Sequence, residues 1–131
     1  MPITSVQVHK TPEPRGHYSQ AVVYNGLVFV SGLLPMDLES GLPNVGTIEA
    51  QTELVLRNLD RILGAAGSGL DRLLQVTLFL TNMEDWGVVN ATYARILGRH
   101  RPSRAVAPVL PLAYGAGIAI QAIAAAAEPS S

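Results

Sequence analysis

The fold is decided by the segment Ala21-Val22-Val23-Tyr24-Asn25-Gly26-Leu27-Val28-Phe29-Val30-Ser31. Two runs rich in β-branched and aromatic residues flank the central Asn25-Gly26 pair. Both central residues accept the positive φ angles that a two-residue type I′ turn requires. The segment therefore predicts a β-hairpin with strands at residues 21–24 and 27–31.

Two amphipathic helices are predicted after this hairpin. The first begins after Thr47, a good N-cap residue, and ends near Ala66, because Gly67 can adopt the left-handed conformation that stops a helix. The second begins after Asn82, which can cap it, and ends before Pro102. Mainly apolar residues recur in them at steps of three and four. These are Ile48, Thr52, Val55, Leu59, Ile62 and Ala66 in the first, and Trp86, Val89, Tyr93 and Ile96 in the second.

Four polar residues of the first helix carry expectations of their own. Glu53 and Arg57 are four residues apart and are expected to pair on its outer side. Gln51 and Asn58 lie one turn from Val55 on the apolar stripe. Their carboxamides therefore need partners at the seam between helix and sheet, or at another subunit.

Strands are predicted in four further segments: Ile3 to Val8, Leu73 to Thr81, about Ala105 to Leu110, and Ile118 to Ala125. Alternation in the second of these places Leu74 on its buried face. The segment Gly32 to Gly46 is rich in Gly, Pro and Asp and predicts a loop. The resulting order predicts an α+β fold in which two helices cover one face of a mixed six-stranded sheet. The other face would be bare and would need a neighbouring subunit.

The composition limits the classes of function. A chain of 131 residues predicts a single domain over residues 1–131. Apolar residues make up 48% and charged residues 15% of the chain, so much apolar area must lie on the surface, and oligomerisation is the expected outlet. The net charge is −1 and Lys10 is the only lysine, which argues against a nucleic-acid partner.

Several classes of site are excluded by missing motifs. The absence of cysteine rules out disulfides, thiolate metal ligands and a cysteine nucleophile. There is no Gly-rich phosphate loop, no HExxH and no GxSxG motif, and we expect no cofactor and no metal. No charged-then-apolar segment suggests a secretion signal, and the uncharged run Ala105 to Ala127 is interrupted by Pro and Gly. We therefore expect a cytoplasmic protein without a membrane span.

Arg104 is the first candidate site residue. It is the last charged side chain before a run that carries none until Glu128. Such a run is expected to be mostly interior, so Arg104 would be held where a loop meets the core, with a forked set of donors suited to a carboxylate or a phosphate. Two interpretations stay open from position alone. Arg104 binds an anionic ligand, or it caps the preceding helix or pairs with an acid at a subunit contact.

A set of short motifs resembles the RidA (YjgF/YER057c/UK114) family, and the resemblance extends from about Gly16 to Ala124. The motifs are Gly16-His17-Tyr18-Ser19-Gln20-Ala21, Phe29-Val30-Ser31-Gly32, Gln51-Thr52, Asn58-Leu59, Ala65-Ala66-Gly67, Val89-Asn90-Ala91-Thr92-Tyr93 and Pro102-Ser103-Arg104-Ala105. Each is weak alone, whereas their order and spacing are specific. The resemblance implies a chorismate-mutase-like fold and a homotrimer with a central barrel and three ligand clefts between neighbouring subunits.

The same resemblance implies a chemistry and a set of site residues. Typical members hydrolyse reactive enamines and imines, such as 2-aminoacrylate, to 2-oxo acids and ammonia without a cofactor. Arg104 matches the carboxylate-binding arginine of the family and is therefore the candidate catalytic residue. Tyr18, Gly32 and Asn90 match cleft positions that would help to orient a small carboxylate substrate. Val106 replaces a cysteine found in many members, but its backbone carbonyl would still be an acceptor.

One departure from the family pattern bears directly on turnover. The common ending Glu-Ile-Glu-Ala-Ile-Ala is replaced by Ala119-Ile120-Gln121-Ala122-Ile123-Ala124, so Ala119 stands where a glutamate would position the attacking water. His17 replaces a usual proline beside Tyr18, and is either a compensating base or a plain substitution.

Three functions remain in competition. The first is a RidA-type deaminase, slower or tuned to another imine, that binds through Arg104. The second is a non-catalytic binder or sensor of small carboxylates in the same cleft, which Ala119 favours. The third is the endoribonuclease or translation-inhibitor activity attributed to some family members, against which the near-neutral charge weighs.

Overall fold

The computed structural model describes residues 2–127, in which strands and helices follow one another in the predicted order. The strands are β1 (Thr4–Val6), β2 (Ala21–Tyr24), β3 (Leu27–Leu33), β4 (Leu73–Leu80), β5 (Ser103–Pro108) and β6 (Ile118–Ala125), and the helices are α1 (Ile48–Ala65) and α2 (Trp86–Leu97). Met1 and residues 128–131 of the predicted domain lie outside the described residues.

Local turn and cap chemistry determines where the hairpin turns and where α1 begins and ends. Asn25 and Gly26 have φ angles of 52° and 77°, as the predicted turn requires. The Thr47 side chain accepts a hydrogen bond from the backbone N–H of Ala50 at 3.1 Å, and Gly67 has a φ of 74° just after the end of α1. The prediction of the hairpin and of α1 is confirmed.

The sheet is mixed, as predicted, with the strand order β1-β2-β3-β6-β4-β5. Every neighbouring pair is antiparallel except β4 and β5, which are parallel and are joined by α2 as the crossover. Both helices pack on one face and share a core with alternate strand residues: Val28, Val30, Val76, Leu78, Leu80, Ile118 and Ile120 from the sheet, and Val55, Leu56, Leu59, Ile62, Leu63 and Val89 from the helices. On the opposite face Phe29, Gln75 and Gln121 remain exposed.

The strand boundaries differ from the prediction where the sheet is irregular. The strand predicted at Ile3 to Val8 is confined to β1, and β3 continues through Gly32 into the predicted loop. Leu74 is not on the buried face, because it is 47% exposed. A register shift between Leu73 and Gln75 interrupts the alternation at the start of β4, so that Leu73 is buried instead.

The polar residues of α1 find partners inside the chain. Asn58 donates to the Met36 carbonyl at 2.6 Å. Gln51 donates to the Gly46 carbonyl and accepts from the Gly117 N–H. The two carboxamides therefore attach α1 to the loops at the sheet edge. This corresponds to the expected partners at the seam between helix and sheet, and not to partners in another subunit.

Two local predictions about helical side chains need correction. The predicted pair of Glu53 with Arg57 is wrong, since Glu53 accepts from Arg95 of α2 at 2.6 Å. Asn82 does not cap α2 directly. Its side chain accepts from the Glu84 N–H and begins a short 3₁₀ turn that leads into α2.

Candidate functional site

Arg104 is the second residue of β5, which is the edge strand of the sheet. It pairs in register with Val76, whose side chain is buried on the helix face, so the Arg104 side chain is directed to the same face. The expectation of a mostly interior run after Arg104 is wrong for β5, in which Ala105 and Pro108 are exposed and the two residues between them are half-buried, because only one side of this strand has a neighbour. The strand also begins at Ser103 rather than at about Ala105.

Three neutral side chains of α2 surround the Arg104 guanidinium. Its Nη1 donates to the Asn90 Oδ1 at 3.0 Å. Its Cζ lies 4.8 Å from the ring centroid of Trp86 and 5.0 Å from that of Tyr93. Both distances are within the range of cation–π attraction.

No carboxylate pairs with Arg104 within residues 2–127. The arginines that form salt bridges there are Arg61, with Glu39, and Arg95, with Glu49 and Glu53. Within one chain, therefore, Arg104 neither pairs with an acid nor caps a helix carbonyl. Its charge and most of its donors stay available to a ligand or to another subunit.

Tyr93 is the residue of this cluster whose pKa is shifted. Burial raises the pKa of its hydroxyl, and the positive charge of Arg104 partly offsets that rise. The hydroxyl oxygen is buried and has no hydrogen-bond partner among the described residues. The ring is thus placed by packing and by its contact with Arg104, and not by a hydrogen bond of its hydroxyl.

Tyr18 and Gly32 line a separate cavity of about 430 Å³ near the bulged end of β3. The Tyr18 side chain is exposed, and its ring lies so close to Gly16 that a Cβ there would come within 2.9 Å of it. A Cβ at Gly32 would meet nothing within 4 Å. The chain register shifts between Val30 and Leu33 at this point, which is the kind of irregularity that turns backbone toward a site.

The structure thus brings Asn90, Arg104 and Val106 together at one edge of the sheet, and Tyr18 with Gly32 elsewhere. Strands β6 and β4 lie between β3 and β5, so these two groups are separated by three strand spacings, or roughly 14 Å. Val106 is half-buried beside the core, two residues along β5 from Arg104. A single chain does not assemble the five predicted residues into one site.

Ala119 and His17 lie away from the group formed by Asn90, Arg104 and Val106. Ala119 pairs with Phe79 and is 7% exposed, on the sheet face opposite Arg104. His17 is exposed in the loop before Tyr18. Neither residue contacts the Arg104 guanidinium within the chain.

Trp86 and Tyr93 are the functional candidates that the sequence analysis missed, because it assigned both to the apolar stripe of α2. Both do pack against the core, and both also contact Arg104. The signal that could have found them is their spacing with Asn90. Residues at i, i+4 and i+7 lie on one side of a helix, so Asn90 marks the side on which the aromatic rings stand.

The described residues form neither a metal-binding cluster nor a membrane-spanning helix. Across residues 2–127, no three or more His, Asp or Glu side chains lie together so that they could hold a metal ion. Neither helix in that part of the chain is long and apolar enough to cross a membrane.

Comparisons with known sequences place most of the chain in one family. The family model described as Endoribonuclease L-PSP matches residues 8–126. A protein from Rattus norvegicus named 2-iminobutanoate/2-iminopropanoate deaminase is 35% identical over 119 residues, which cover 91% of this chain and 87% of the rat protein. Reactive Intermediate Deaminase A, chloroplastic, from Arabidopsis thaliana is 37% identical over 119 residues, covering 91% of this chain and 64% of the plant protein.

Solved structures agree with this assignment. Yeast Mmf1 superposes with a TM-score of 0.90 at 30% identity, covering 96% of this chain and 100% of that one. RidA from an Antarctic Psychrobacter superposes with a TM-score of 0.86 at 33% identity, covering 93% of this chain and 98% of that one. With the mixed sheet, the two helices on one face and the matching motifs, these similarities establish that the chain belongs to the RidA family.

Proposed function

We propose that the protein is a cofactor-independent hydrolase that converts 2-imino acids, and the 2-enamine acids that tautomerise to them, into 2-oxo acids and ammonia. The observation that carries the proposal is the Arg104 guanidinium, which is exposed, held by neutral side chains and unpaired with any acid of the described chain. The names of the rat and plant relatives support the same reaction class.

Arg104 is suited to the substrate because the reacting C=N group of a 2-imino acid is conjugated to a carboxylate. The planar fork of donors can bind that carboxylate bidentately, with Asn90 fixing one nitrogen of the fork. Water then forms a bond to C2 while a proton passes to the imine nitrogen. A second proton passes from the new hydroxyl to that nitrogen, the C–N bond breaks, ammonia leaves, and the C2 carbonyl remains.

The separation of the candidate residues supports an intersubunit site. Within one chain, Tyr18 and Gly32 are roughly 14 Å or more across the sheet from Arg104, too far to contact the same four-carbon substrate. In a homotrimer whose sheets pack into a central barrel, Tyr18 and Gly32 of one subunit would face Arg104, Asn90 and Val106 of the next. The cleft between subunits would then be the complete site.

Substitution of Arg104 tests this function directly. Freshly generated 2-aminoacrylate or 2-iminobutanoate is supplied, and release of the 2-oxo acid is followed. We expect Arg104→Ala to lower kcat/KM on the order of 30-fold to 1000-fold, because a charge-assisted bidentate contact of about 2 to 4 kcal/mol is lost. Arg104→Lys should recover only part, since it restores the charge without the fork.

The control is Arg57→Ala, which removes an exposed arginine of α1. It should leave the rate unchanged. A parent protein that releases no more 2-oxo acid than buffer does, or an Arg104→Ala variant as active as the parent, contradicts the deaminase.

A non-catalytic binder of small carboxylates is the second candidate, and Ala119 is the observation that favours it. A methyl group cannot activate water, whereas every contact of Arg104 described above would still serve binding. Calorimetry with 2-oxobutanoate distinguishes the two: binding without turnover identifies the binder. The endoribonuclease is a third and weaker candidate, because a chain with net charge −1 and one lysine offers little attraction to a phosphate backbone.

A further inference from the structure

The environment of Arg104 differs from that of the other arginines that have hydrogen-bonding or ionic partners among residues 2–127. Arg61 and Arg95 are paired with glutamates, and Arg72 donates to the backbone carbonyls of Ala125 and Ala126, which occupy part of its fork. Arg104 instead has two aromatic rings and one carboxamide around it, and none of these carries a formal charge. A carboxylate in their place would hold the side chain just as firmly but would neutralise it and occupy its fork.

Aromatic rings can hold an arginine side chain without neutralising its charge or occupying its donors. The negative face of an aromatic ring attracts a cation without supplying a hydrogen-bond acceptor that competes for the N–H groups in the guanidinium plane. A long and flexible side chain on an exposed edge strand would otherwise lose rotamer freedom each time it bound a ligand. Contacts that order it beforehand reduce that loss.

We infer that Trp86 and Tyr93 are positioning residues for Arg104, which orient its guanidinium without supplying a neutralising acid and leave it open to a carboxylate. The inference rests on the proposed function only in that Arg104 is taken to be the carboxylate anchor. Neither ring is assigned to contact the substrate.

The Tyr93 hydroxyl separates a role of the ring from a role of its polar group. Tyr93 is 6% exposed, and its buried hydroxyl has no partner among the described residues, so the group gains nothing from its own hydrogen bonding. If the ring face is what matters, phenylalanine should replace Tyr93 in positioning Arg104. A purely polar role would not survive that change.

The first test compares aromatic with aliphatic replacements at both positions. The matched pairs are Trp86→Phe with Trp86→Leu, and Tyr93→Phe with Tyr93→Leu. Calorimetry with 2-oxobutanoate should give nearly parental affinity for the two Phe variants and about tenfold weaker binding for the two Leu variants, equivalent to about 1.4 kcal/mol. In the deaminase assay the Leu variants should raise KM more than they lower kcat, since the loss is in anchoring the carboxylate.

The second test needs no change in the core and no ligand. Trp86 is the only tryptophan of the chain, so its fluorescence reports on this cluster alone. Arg104→Met removes the charge above the ring while keeping an unbranched side chain, and it should change the Trp86 emission of the free protein. Arg101→Met, which removes an exposed arginine nearby, should not.

A fluorescence titration with ligand distinguishes a failure of the proposed function from a failure of the positioning role. Adding 2-oxobutanoate should alter Trp86 emission in the parent but not in Arg104→Met, with N-acetyltryptophanamide correcting for absorption by the ligand. A parent that neither binds nor turns over the carboxylate refutes the proposed function. An unchanged emission in Arg104→Met, or folded Leu variants that bind as tightly as their Phe partners, refutes the positioning role.

Discussion

A single methyl group, that of Ala119, occupies the position where the sequence motifs lead us to expect a glutamate. The side chain is almost fully buried against β4, on the sheet face opposite Arg104. A glutamate there could serve only a site that includes the open face of the sheet, as an intersubunit cleft does. Under the proposed function, the identity of this residue would therefore bear on turnover more than on the binding of the carboxylate.

We expect Ala119→Glu to raise the rate of 2-iminobutanoate hydrolysis by about tenfold or more. A positioned general base contributes on the order of 10² to 10⁴ in rate, and the lower figure allows for surroundings that were not built for a carboxylate. Ala119→Gln has the same size without the basic group and should show no gain. A trimeric Ala119→Glu variant with parental activity would point to another group, of which His17 is the first to test.

A second single residue, Tyr93, is expected to affect the stability of the protein at alkaline pH. Burial raises the pKa of its hydroxyl in the folded chain, despite the opposing effect of Arg104. The contribution of the neutral Tyr93 hydroxyl to the free energy of unfolding is therefore fully present below the unfolded-state pKa, about 10. It is lost as the pH rises through the higher folded-state pKa. The free energy of unfolding of the parent should fall in that window, and Tyr93→Phe should lose this part of the fall.

Urea unfolding from about pH 9 to about pH 11 measures the difference. Tyr24→Phe, at an exposed position of β2, controls for the loss of a tyrosine hydroxyl. Identical pH profiles for the parent and Tyr93→Phe would show that Tyr93 is not linked to folding.

At the scale of elements, the hairpin and α1 are encoded locally. The turn at Asn25-Gly26, the cap at Thr47 and the stop at Gly67 each act within a few residues, and the structure reproduces all three. Strand pairing is different. The bulge that moves Leu74 to the surface and the extension of β3 to Leu33 depend on which strand lies alongside, and β6 comes from the far end of the chain.

Removing the N-cap of α1 tests whether local contacts stabilise this helix. We expect Thr47→Ala to lower the free energy of unfolding by about 1 kcal/mol, because the Ala50 N–H loses its acceptor. Thr47→Ser keeps a hydroxyl in place and should cost much less. Denaturant titrations of the three proteins measure the difference, and equal midpoints would show that the cap adds nothing to the packing of α1.

At the scale of the whole molecule, the sequence could name the candidate residues but not the distance between them. Tyr18, Gly32, Asn90 and Arg104 are recognisable from motifs alone. Their separation follows from the strand order, which places β6 between β3 and β4 through long-range pairing that no local pattern encodes. The contacts of Arg104 were equally hidden, because they depend on how α2 packs beside β5, and no pattern around Arg104 itself encodes that packing.

Assembly is the prediction that belongs to this scale. We expect sedimentation equilibrium at micromolar concentration to give three chain masses, because the open sheet face exposes Phe29 and because a single chain does not bring the candidate residues together. A stable monomer or dimer that retained deaminase activity would overturn the intersubunit site. A trimer whose dilution into monomers abolishes carboxylate binding would support it.

The division of the candidate residues between two stretches of chain also has an evolutionary consequence. Residues 16–32 supply one half through a loop and β3, whereas residues 86–106 supply the other through α2 and β5. In the proposed cleft, mutations in the first stretch would reshape what surrounds the rest of the substrate and leave the contacts of Arg104 in place, because those contacts lie within the second stretch. Under the proposed function, a gene with this arrangement could diversify its preference for substrates while inheriting the half that carries Arg104 intact.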